Sequence, residues 1–154
     1  MDRLALLIAT CGYVGYVPIA PGTFGSACGL ALFWAVRSSG SAVGEIALIV
    51  MIGGVGVWSG SVAERYFRGV DPGHVVVDEV FGMLVTLALV PVSVTGAVAG
   101  FLVFRILDIV KPWPARRLET LHGGLGIMAD DGMVALYGNL VIRGLVAIAP
   151  GWFS

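Results

Sequence analysis

The stretch from Phe104 to Asp131, FRILDIVKPWPARRLETLHGGLGIMADD, is where an otherwise very apolar chain gathers its charges. Arg105, Asp108 and Lys111 recur every three residues, so on a helix they share one face and their side chains can reach one another. Asp130 and Asp131 add a pair of carboxylates, and Arg116, Arg117 and His122 lie between. Carboxylates beside cations suit a divalent cation and a phosphate, because Mg²⁺ takes one or two carboxylates and shares its other positions with water and substrate oxygens. The alternative is purely structural: Asp130 caps a helix, Asp108 pairs with Arg105 or Lys111, and nothing binds.

The elements that must position these groups follow from the pattern. The helix carrying Arg105 must stop near Lys111, because Pro112 disfavours the α region for the residue before it and Pro114 keeps the next step extended. HGGLGIMADD reads as a glycine-loosened loop, with Asp130 or Asp131 as N-cap of a last apolar run over 132–149. Upstream, Asp78 and Glu79 interrupt the apolar run 75–90, where a mid-membrane charge costs about 2.5 to 3.5 kcal/mol. Residues 75–110 are too long for one crossing of about 20 residues, so a hairpin turned near Ser93 is expected. Asp78 lies fifteen residues before that turn and Asp108 fifteen after it, which sets both at one depth, about 22 Å from the turn.

Apolar residues make up 58% of the 154 residues and charged ones 12%, about half the charged share of a soluble domain, so a lipid-facing surface is expected. The fold class is all-α: one domain over 1–154, a helical integral membrane protein of about five transmembrane helices with a cytoplasm-facing polar site. The expected spans are 24–36, 43–62, the two arms of the hairpin and 132–149, with residues 1–11 too short to cross. The loop 12–26, GYVGYVPIAPGTFGS, exposes backbone N–H groups that suit an anion or simply turns the chain. Arg3, Arg65, Arg68, Arg105, Lys111, Arg116 and Arg117 fall on the motif face and Arg37 on the other, which makes the motif face cytoplasmic. Net charge of -1 argues against nucleic-acid binding. Cys11 and Cys28 have neither metal-ligand spacing nor a disulfide framework. Whether the chain forms a homo-oligomer is left open.

With these strings assembled, PIAPGTFGS at 18–26, DPGHVVVDEVFG at 71–82, FRILDIVKPWPARR at 104–117 and HGGLGIMADD at 122–131, the chain resembles the phosphatidylglycerophosphatase A family of bacterial membrane lipid phosphatases. It departs from the family pattern at Val77 and at Val134-Ala135. The resemblance implies Mg²⁺-dependent hydrolysis of phosphatidylglycerophosphate to phosphatidylglycerol and phosphate, in phospholipid biosynthesis on the cytoplasmic leaflet of the inner membrane. No Asp-x-Asp or Cys-x5-Arg nucleophile string is present, so attack by a water on the metal is the expected route. The expected catalytic residues are Asp78, Glu79, Asp108 and Asp131, and the expected Mg²⁺ ligands are Asp78, Glu79, Asp130 and Asp131. Thr23, Ser26, Arg105, Lys111, Arg116, His74 and His122 are the expected substrate-binding residues, with the histidines also eligible as general acid. The competing class is a small membrane transporter or proton-coupled carrier using the intramembrane carboxylates.

Overall fold

The computed structural model describes residues 2–154, and every regular element among them is helical. The helices are α1 (Asp2–Ala9), α2 (Pro21–Arg37), α3 (Ala42–Phe67), α4 (Val77–Leu87), α5 (Val94–Val110), α6 (Ala115–Leu118), α7 (Gly124–Ile148) and α8 (Pro150–Phe153), with a 3-10 turn at Val14–Tyr16. Local chemistry sets several boundaries. Pro21 opens α2 at a position that needs no N–H donor. Ser41 and Ser93 cap α3 and α5 by accepting from Gly44 N and Gly96 N. Lys111 ends α5 in the left-handed region, immediately before Pro112.

α4 is the centre of the bundle, packed against α2, α3, α5 and α7. Small residues bring the backbones close: a Cβ at Gly82 would overlap the Phe104 ring, and one at Gly100 would overlap Leu87. Phe33, Met83, Leu87 and Phe104 fill the centre around these contacts. Eleven residues make α4 about 16 Å long, so it ends inside the bundle. Its freed carbonyls are met by other helices. Asn139 Nδ2 donates to Val85 O, Thr86 O and Ala88 O at 3.0 to 3.1 Å, and Arg143 Nη2 donates to Ala88 O and Leu89 O. Arg37 joins Val90 O to Glu45, whose other oxygen accepts from Leu89 N.

The hairpin over 75–110 is present but asymmetric. An eleven-residue α4, a non-helical connection over 88–93 that opens with a turn and a seventeen-residue α5 replace the equal helical arms. The expectation of about five spans is also corrected: by length and composition two helices, α3 and α7, suffice to cross a membrane. The other expected spans form helices of seventeen residues or fewer, covering about 26 Å or less against a hydrocarbon core of about 30 Å.

Candidate active site

One end of the bundle collects the N-termini of α2, α4 and α7 and the C-termini of α3 and α5. Asp78 and Glu79 stand in the first turn of α4. Asp131 comes from α7, and ligand oxygens of these three carboxylates lie within 4.8 Å of one another. Asp78 and Asp131 are 6% and 2% exposed, so water screens them little. Asp78 Oδ1, Glu79 Oε2 and Asp131 Oδ2 are buried without a hydrogen-bond partner. Three converging carboxylates, each with an orphaned oxygen, fit a hard divalent cation, which takes oxygen ligands and would relieve their mutual repulsion.

Two cations flank this cluster. Arg105 Nη1 is 2.8 Å from Asp108 Oδ2 and 3.8 Å from Glu79 Oε1, so it ties α5 to α4. Arg105 Nη1 also reaches Ser26 Oγ at 3.5 Å, and Arg105 Nε is buried with no partner. Lys111 is hydrogen-bonded to Asp130 and lies 3.6 Å from Glu119 and 3.9 Å from Asp108. Burial alone would lower the ammonium pKa of Lys111, but the hydrogen bond to Asp130 and the charges of Asp130, Asp131 and Asp108 outweigh it and raise it.

Asp130 and Asp131 do not cap α7. The helix begins at Gly124, so both lie nearly two turns inside it. The first amides of α7 are met from α3, where Glu64 accepts from Gly123 N and Ser61 from Gly124 N. Asp130 is not one of the three converging carboxylates and holds Lys111 through Oδ2, but its Oδ1 is buried without a partner, as are oxygens of the other three. Gly22 explains how the PGTFGS string belongs to the site. A Cβ there would overlap Glu79 Oε1, so glycine lets the start of α2 close over that carboxylate without displacing it. Ser26 is buried and donates to Gly22 O, while Thr23 is half-buried in the first turn of α2.

His74 stacks on Phe67 at 4.9 Å and lies 5.1 Å from Tyr16, and His122 is exposed. Among the described residues neither pairs with a carboxylate. Arg116 is exposed on α6 and makes no ion pair among them. The sequence reading missed Asp71, Glu64 and Glu119. Asp71, in the left-handed region at φ 45°, is pushed up to about 6 by burial and by the charge of Asp130, against the opposing pull of Lys111 and with further help from Glu119 and Asp108. Its signal was the DPGH string itself, which reads first as a turn.

The family model for phosphatidylglycerophosphatase A matches residues 7–146. A Bacteroides thetaiotaomicron protein provisionally named a phosphatidylinositol-3-phosphatase is 36% identical over 146 residues, covering 90% of this chain and 91% of its own. The phosphatidylglycerophosphatase A of Escherichia coli is 38% identical over 120 residues, covering 76% of this chain and 69% of its own. The phosphatidylglycerophosphatase A of Haemophilus influenzae is 42% identical over 74 residues, 47% of this chain and 45% of its own. No solved structure matches the chain.

Proposed function

The chain belongs to the phosphatidylglycerophosphatase A family, and from that premise we propose that this phosphatase removes the terminal phosphate of phosphatidylglycerophosphate with Mg²⁺ at Asp78, Glu79 and Asp131. The observation that carries the reading is the convergence of these three buried carboxylates beside Arg105 and Lys111. Asp78, Glu79 and Asp131 would hold the cation, which when bound would polarise the phosphoryl group and lower the pKa of a coordinated water. Arg105, whose Nε–H has no partner, would donate to a phosphoryl oxygen, and Lys111 adds a second positive charge between Asp108 and Asp130. Asp108 fixes the Arg105 guanidinium, and the start of α2 keeps bulk water off Glu79. Hydrolysis forms one P–O bond to water and breaks the ester P–O bond to glycerol, with one proton passing to the leaving alkoxide.

A membrane setting is part of the proposal. Ile106, Ile109 and Ile148 are 60%, 75% and 84% exposed while Glu45, Asp108, Asp130 and Asp131 are buried, an inside-out distribution that suits a lipid surround. The excess of basic residues at the site end supports a cytoplasmic orientation in the inner membrane. Such a location agrees with a step of phospholipid biosynthesis. The carrier reading gains no support, since the matched family and the similar proteins are phosphatases.

The test is phosphate release by purified protein in detergent, offered phosphatidylglycerophosphate, phosphatidylinositol 3-phosphate and glycerol 3-phosphate, with Mg²⁺ or with EDTA. Preferred turnover of phosphatidylglycerophosphate, abolished by EDTA and restored by Mg²⁺, is expected. EDTA-insensitive release would remove the metal, and faster turnover of phosphatidylinositol 3-phosphate would reassign the substrate toward the name of the Bacteroides relative.

A further inference from the structure

An apolar groove of about 520 Å³ runs along the outside of the bundle between α3, α4 and α7. Phe81 forms its floor, one helical turn beyond Asp78. Its walls are thinned by glycine: a Cβ at Gly53 or at Gly132 would come to 3.2 Å from the Phe81 ring. Val85, Ala129 and Leu136 continue the lining, which includes no polar side chain. α3 and α7, the two walls, are also the two helices long and apolar enough to cross a membrane.

Two features join this groove to the phosphatase site. Gly132 directly follows Asp131, so wall and carboxylate share one turn of α7. Toward the site end of α7 the lining includes Leu118 of α6, and the preceding Arg116 and Arg117 are exposed. Neither arginine makes an ion pair among the described residues; Arg117 lies over the Trp113 ring at 5.9 Å. A slot with wholly apolar walls beneath two unpaired cations is complementary to an anionic amphiphile, with its tail in the slot and its charge above.

We infer that this groove seats one acyl chain of the lipid phosphate whose headgroup reaches Asp78, Glu79 and Asp131, an inference that rests on the lipid-phosphatase reading. Moving a chain from bilayer to groove gains no hydrophobic free energy, because both are equally apolar. The groove acts by orientation: a chain fixed along Phe81 restricts where the headgroup swings, and positioning of this kind appears in the rate.

The test fills the groove away from the site. Gly53→Leu and Leu136→Trp are assayed on dipalmitoyl phosphatidylglycerophosphate in mixed micelles and on the dihexanoyl lipid dissolved as monomer. Each variant should lose about tenfold or more in kcat/KM on the long-chain lipid and keep a near wild-type rate on the short one, which also reports that it folds. Unchanged long-chain turnover, or equal loss on both lipids, overturns the groove assignment. A wild-type measurement independent of folding uses the same lipid with a diazirine in one chain, which should label residues 128–136. Labelling spread evenly over the outer faces of α5 and α7 also overturns it. Wild-type protein that turns over neither lipid refutes the phosphatase reading itself, and the groove assignment with it.

Discussion

Replacing Lys111 by methionine keeps the length and apolar stem of the side chain and removes its charge. Of the three carboxylates facing Lys111, Glu119 has a side chain 43% exposed and keeps its water, and Asp108 keeps Arg105. Asp130 has neither recourse, with 2% of its side chain exposed and Lys111 as its ion-pair partner. Breaking a buried pair from one side costs about 3 to 5 kcal/mol. The lower end applies, because Lys111 shows 17% of its side chain to solvent. For a chain of this size about 3 kcal/mol lowers the melting temperature by roughly 6 to 12 °C. Asp130→Asn alone leaves Lys111 with Asp108 and Glu119 and should cost roughly half as much. The double variant Lys111→Met/Asp130→Asn strands no charge, so it should recover about 2 kcal/mol relative to the sum of the single losses. Thermal unfolding of all four proteins in one detergent at pH 7 measures the cycle. Single losses that add to within about 0.5 kcal/mol would refute the pairing and return Asp130 to the candidate metal ligands.

Asp78→Asn and Asp131→Asn should each abolish Mg²⁺-dependent phosphate release while leaving the melting temperature at or above that of the wild type, because each removes a buried repelling charge; full activity in either would refute the three-carboxylate site. Asp130→Asn should keep measurable activity, and a loss as complete as that of Asp131→Asn would count against its placement outside the cluster. Gly82→Ala pushes a methyl into the Phe104 ring and should cost about 1 to 3 kcal/mol, read as a lower melting temperature. The folded-state pKa of Asp71, about 6, lies above its ordinary value of 3.8, so ionised Asp71 opposes folding at neutral pH and the penalty fades as pH falls through 6 toward 4. Asp71→Asn should therefore melt higher than wild type at pH 7.5, with the gap closing at lower pH; a pH-independent gap would contradict this.

How far the site could be read from sequence depended on whether each cue was local. α5 was legible at both ends, since the turn near Ser93 precedes it and Pro112 stops it, and its Arg105, Asp108 and Lys111 face was visible in the spacing. The start of α7 was not. Glycines at 123, 124 and 126 lower helix propensity and read as loop, yet α7 starts among them because Ser61 and Glu64, about sixty residues earlier, meet its first amides. That shift moved Asp130 and Asp131 from cap to helix interior. The span count failed for a related reason: hydropathy does not reveal that α4 ends after eleven residues, because what permits the early stop is Asn139 and Arg143 on another helix. The histidines were grouped with the acids by sequence proximity, and the stacking of His74 on Phe67 was not legible in that spacing.

The short α4 also bears on how the molecule is assembled during synthesis. In the connection that follows it, the Val90 carbonyl meets Arg37, which has already been made, but the carbonyls of Val85 and Thr86 in its last turn and of Ala88 just beyond meet Asn139, more than fifty residues later in the chain. A buried carbonyl left without its partner costs about 1 to 3 kcal/mol, so the end of α4 is not fully satisfied until α7 has been translated. α7 brings Asp131 with it. The helix that lets α4 lodge among its neighbours therefore also supplies the last carboxylate of the cluster, and a nascent chain stopped before α7 has neither a seated α4 nor a complete site.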